Sequence, residues 1–72
     1  MKTEIIIMLK ENNRWVVLIR GNNLEEIINK YENKLTKKEN NTAKLEMTTY
    51  VLHSFISSVK RLNLEIEYTE LF

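Results

Sequence analysis

Seventy-two residues make one domain, residues 1–72, near the lower size at which a single apolar core suffices. The absence of cysteine excludes disulfides and thiolate metal sites, and a hydrophobic fraction of 43% excludes a disordered chain. Eleven Lys and Arg against ten Glu leave no global field to steer the chain toward nucleic acid or a membrane.

Residues 3–20 read as a β-hairpin. TEIIIMLKE and RWVVLIR are rich in β-branched and aromatic residues, with ENNR between them. Asn12 and Asn13 suit the centre of a type I′ turn, since asparagine tolerates the positive φ that both positions require. That turn sets Glu11 opposite Arg14 and Lys10 opposite Trp15.

Leu24, Ile27, Ile28, Tyr31 and Leu35 recur at helical spacing and predict a helix over 24–36. Asn23 is its expected N-cap, with Glu26 completing a capping box. KKENN, residues 37–41, reads as a polar loop. TAKLEMT, residues 42–48, alternates and reads as a strand, with one long helix from Thr42 as the other option. Val51, Leu52, Phe55, Ile56, Val59 and Leu62 predict a second helix over 50–62, capped by Thr48 or Thr49. NLEIEYTE, residues 63–70, alternates again and closes the order as ββαβαβ. The expected fold is a small α+β two-layer sandwich with a mixed sheet of about four strands.

The chemistry offered by these residues is sparse. The single glycine, Gly21, follows an apolar run, but phosphate loops need several glycines, and Glu25 and Glu26 would repel an anion there. Gly21 is therefore read as a turn. The chain has no aspartate, and its one histidine, His53, stands on the second helix with no base-and-orienter set around Ser54, Ser57 or Ser58. Glu65 and Glu67 without supporting His or Asp make a poor metal site. No catalytic residue, cofactor or metal is assigned, and the chain is read as a non-enzyme.

Two surfaces remain. Lys30, Lys34, Lys37, Lys38 and Lys44 form a basic segment that could contact nucleic acid, although only Tyr31 is available to stack on a base. The hairpin is apolar on both sides. On the type I′ register one side holds Ile5, Ile7, Leu9, Val16 and Leu18, and the other holds Ile6, Met8, Trp15, Val17 and Ile19. If both helices lie on one side of the sheet, an apolar patch is left for a partner. The set Ile6, Met8, Trp15, Val17 and Ile19 is the expected contact surface.

The function expected from this is protein binding, to another protein or to a second copy in a homodimer, with a nucleic-acid-binding regulator as the alternative. The apolar run IIIML, residues 5–9, is too short for a membrane span, and no signal peptide is read at the N-terminus, so a cytoplasmic location is expected. Abundant Ile, Asn, Lys and Glu, with no proline and a single alanine, suggest AT-rich coding. That fits a phage or mobile-element accessory protein acting as an inhibitor or modulator of a host or defence protein.

Overall fold

The computed structural model describes residues 3–22, 24–62 and 65–71. Five strands and two helices follow one another: β1 (Thr3–Glu11), β2 (Arg14–Arg20), α1 (Glu25–Lys30), β3 (Leu35–Glu39), β4 (Thr42–Met47), α2 (Thr49–Arg61) and β5 (Ile66–Leu71). A 3-10 turn over Glu32–Lys34 joins α1 to β3. The strands form one sheet in the order β3-β4-β2-β1-β5. All neighbours are antiparallel except β1 and β5, which run parallel. This is the α+β class read from the sequence, with one strand more than expected.

The topology decides where the helices go. β2 and β3 point the same way with β4 between them, and β4 and β5 point the same way with β2 and β1 between them. Each helix therefore sits in a crossover between parallel strands, and such crossovers are right-handed almost without exception. The two start from oppositely directed strands and move toward opposite edges, so equal handedness puts both helices on the same face. The core confirms this placement. Ile27 and Ile28 of α1 and Leu52, Phe55 and Val59 of α2 join Ile5, Ile7, Val17, Ile19, Ala43, Leu45 and Met47 in one buried cluster. Tyr31 packs edge-on against Phe55, with ring centroids 5.3 Å apart at 71°.

The β1–β2 turn differs from expectation. Only Asn13 has positive φ, at 58°, whereas a type I′ turn needs it at two positions. The connection instead combines one left-handed residue with a bulge between Leu9 and Glu11. Glu11 does face Arg14, but Trp15 is paired with Leu9 rather than Lys10. From there on the register is one residue away from the type I′ one, and a one-residue slip exchanges the faces of every residue on one strand relative to the other.

The first helix is also shorter than its apolar spacing implied. It ends at Lys30, and Leu35, expected as its last stripe residue, opens β3 instead. The stretch read as helix end and polar loop is thus an edge strand, LTKKE, whose lysines discourage further strand addition. Leu24 stands at the cap position without a side-chain cap bond, while Asn23 lies outside the described residues. Residues 42–47 are a strand and not the start of a long helix.

The second helix is capped from a distance. Thr48 is at its N-cap with extended backbone but makes no side-chain cap bond. The Thr49 N–H donates to Asn13 Oδ1 of the hairpin turn at 3.1 Å, satisfying one of the donors that a helix start leaves unpaired. Trp15 Nε1 donates to Thr49 Oγ1 at 2.9 Å, so the hairpin tip is tied to the start of α2 twice. Gly21, at φ 146°, is a buried turn residue whose N–H donates to the Asn41 carbonyl at 2.9 Å. That conformation favours glycine.

Candidate interaction surface on the open sheet face

With both helices on one side, the other side of the sheet is left open among the described residues. The observed register identifies its occupants. Along β1 they are Glu4, Ile6 and Met8, opposite Arg20, Leu18 and Val16 of β2, followed by Lys10 at the bulge and by Arg14, which pairs with Glu11. β4 adds Thr42, Lys44 and Glu46 beside Arg20, Leu18 and Val16. β5 adds Glu67 and Thr69 beside Glu4 and Ile6.

The centre of this face is apolar and its margin is charged. Ile6, Met8 and Leu18 are partly exposed. Val16 is only 8% exposed, yet it stands outside the core cluster. Its cover is an ion pair. Lys10 Nζ reaches Glu46 Oε1 at 3.0 Å, from β1 to β4, and must cross β2 at the level of Val16 to do so. At the other end Arg20 donates to Glu4 Oε1 at 2.7 Å, directly across the strands. The hydrogen bond from Lys10, together with its charge, lowers the Glu46 carboxyl below the usual glutamate value, aided by Lys44 and Arg14. One ion pair thus closes the Glu4 end of the apolar strip, and the other lies over Val16 at its opposite end, leaving Ile6, Met8 and Leu18 partly exposed.

The expected contact set divides between the two faces. Ile6 and Met8 lie on the open face. Val17 and Ile19 are fully buried under the helices. Trp15 is on the helix side as well, partly buried against the core and bonded to Thr49. The residues that belong with Ile6 and Met8 are Val16 and Leu18, which the type I′ register assigned to the other side. The signal that would have found them is electrostatic: only the observed register sets Glu4 against Arg20.

The basic segment does not gather either. Lys30 of α1 donates to Ser58 of α2 at 2.9 Å. Lys34 is in the 3-10 turn. Lys37 and Lys44 are cross-strand neighbours, Lys38 is paired with Ala43 and so turns toward the helix side, and Lys37 is bonded to Glu39 at 3.1 Å.

Elsewhere the polar chemistry is satisfied locally. A cleft of about 280 Å³ between the helices is floored by Ile27, Val59 and Leu62. Beside it the Tyr31 hydroxyl shares hydrogen bonds with Ser54 and Ser58, at 3.4 and 3.1 Å. His53 is exposed on α2. Among the described residues no three His, Cys, Asp or Glu are grouped to hold a metal, and no helix is long and apolar enough to cross a membrane. In comparison with known proteins, the chain matches no family model, no curated protein and no solved structure.

Proposed function

We propose that the chain is a non-enzymatic protein-binding module whose docking surface is the open face of the sheet. The observation that carries this reading is the strip Ile6, Met8, Val16 and Leu18 on the two strands β1 and β2, with no element laid over it among the described residues. An antiparallel sheet with one wet face normally alternates polar residues on that side. Here the middle is apolar and the rim charged, which is the anatomy of a protein interface. The AT-rich composition supports a mobile-element accessory protein, acting as an inhibitor or modulator of a host or defence protein.

The nucleic-acid reading is supported by Lys37 and Lys44 standing side by side on the same face. It is weaker because the five lysines are dispersed and Lys37 is already neutralised by Glu39. Leu18→Lys compared with the double change Lys37→Glu and Lys38→Glu separates the two. Capture of a protein from the lysate of a low-GC bacterium should be lost in the first variant and kept in the second. Salt-sensitive retention on DNA that disappears only in the lysine variant would overturn the protein-binding reading.

A further inference from the structure

We infer that the cleft between α1 and α2 binds a small carboxylate with an apolar body, at a site separate from the open sheet face. The cleft holds about 280 Å³, just under the roughly 300–1,000 Å³ of pockets for drug-sized ligands. Its occupant is therefore one ring or one short branched chain in size. Ile27 and Val59 close the bottom, and Leu62, partly exposed, forms an apolar wall. Three charged side chains complete the lining: Lys30 at the end of α1, Arg61 at the end of α2, and Glu26 one turn before Lys30.

The charge count favours an anion. Two cations and one carboxylate leave one positive charge in excess on the lining. The carbonyl end of α2 subtracts about half a charge, and Lys60 in the same last turn offsets it. Over the whole helical layer Lys30, Lys34, Lys60 and Arg61 stand against Glu25, Glu26 and Glu32, again one positive charge in excess. Neither Lys30 nor Arg61 forms an ion pair among the described residues, whereas Lys10, Arg20 and Lys37 each do. Lys30 is also held in place. Its Nζ donates to Ser58 Oγ at 2.9 Å, and Ser58 Oγ shares a hydrogen bond with the Tyr31 hydroxyl at 3.1 Å. Tyr31 is fixed in turn by its edge-on packing against the buried Phe55. The ammonium is thus tied to the core through two hydroxyls, and it keeps further N–H donors for a ligand. Arg61 adds a planar fork that suits a carboxylate. A carboxylate held between the two cations bridges the helices, with its apolar part against Leu62 and the cations' methylene stems.

Phenylbutyrate serves as the probe, titrated into the isotope-labelled full chain and followed by NMR of the backbone N–H groups. Shifts should centre on Lys30, Tyr31, Ser58 and Leu62, with a Kd of about 0.1–1 mM. The matched neutral compound, phenylbutanamide, should bind about tenfold more weakly, and phenylbutylamine more weakly still. Lys30→Met and Arg61→Met should each weaken phenylbutyrate about three- to tenfold, and Glu26→Gln should tighten it about twofold. Lys60→Met removes a charge from the same helix end but does not line the cleft, so it should change the Kd less than about twofold. The same spectra show that each variant is folded. Phenylbutanamide bound as tightly as phenylbutyrate, a loss in Lys60→Met equal to that in Arg61→Met, or no binding at about 10 mM overturns the proposal. Shifts confined to Ile6, Met8 and Leu18 overturn it too, since the probe would then occupy the open sheet face.

Discussion

Leu18 and Ile19 are neighbours on β2, yet Ile19 is sealed beneath two helices and Leu18 faces a side that no helix covers. Nothing in their side chains distinguishes them. The difference comes from chain direction: two crossovers of equal hand, starting from oppositely directed strands, concentrate all helical cover on one face. Apolar residues on the covered face hold the fold together, and those on the open face are free to meet something else.

Substitutions on the two faces should therefore differ sharply. Phe55 is fully buried at the centre of the covered side, and Phe55→Ala is expected to cost about 3–5 kcal/mol. Ile19→Ala should cost about 2–5 kcal/mol, while Leu18→Ala, one residue away, should cost about 1 kcal/mol or less. Urea denaturation of the three variants measures this. Equal losses at 18 and 19 would erase the distinction between the faces.

Trp15 tests the boundary of the covered side. It is packed at the margin of the core and bonded to Thr49, so Trp15→Ala is expected to cost about 2–3 kcal/mol. Trp15→Phe, which keeps most of the ring and loses the hydrogen bond, should cost about 1 kcal/mol. Thermal melts showing no loss for Trp15→Ala would move Trp15 off the core.

Asn13 sharpens the contrast at the turn. It supplies both the left-handed backbone and the acceptor for Thr49. Asn13→Asp retains both and should be close to neutral. Asn13→Gly retains only the backbone freedom and should cost about 0.5–1 kcal/mol. Asn13→Val retains neither and should cost on the order of 2 kcal/mol. Denaturant midpoints should fall in that order, and a glycine variant as stable as the wild type would show that the cap contributes nothing.

The smallest effect belongs to the open face. Because the Lys10 hydrogen bond and charge lower the Glu46 carboxyl, the folded chain binds that proton less tightly than the unfolded chain does. The resulting stabilisation is complete above the ordinary glutamate value of about 4.3 and fades as pH falls through the lowered folded value. Lys10→Met should therefore melt slightly below the wild type at about pH 7 and level with it at about pH 2–3. High salt should shrink the difference at neutral pH, since the pair is exposed.

The two hairpins show what the sequence makes legible. β1 and β2 announce themselves through unbroken β-branched runs, and Asn12 and Asn13 between them give away the turn. Asn40 and Asn41 give the same signal between β3 and β4. They were obscured because β3 reads LTKKE, with one apolar residue at its start, as suits an edge strand exposed on most of its surface. Periodicity follows burial, so a strand that buries little leaves little trace. The face assignment failed for a different reason. A bulge is a backbone event next to one residue, Lys10, and both registers satisfy the Glu11–Arg14 pair that seemed to fix it. Testing the far end of the hairpin, where Glu4 meets Arg20, resolves the choice. The open-face residues Ile6 and Met8 were therefore legible, whereas their companions Val16 and Leu18 were not.

The parallel pairing of β1 with β5 bears on how the protein is made. β1 is the first of the strands to be synthesised, and its outer edge stays unpaired until β5, the last, has emerged. During that interval a row of backbone donors and acceptors, backed by Ile5 and Ile7, is open to any other extended chain. Because the pairing joins Thr3 to Ile66, far apart along the chain, it is entropically costly and slow to form. Newly made chains are therefore most prone to aggregate before β5 has emerged, and truncation within β5 should recreate that hazard permanently.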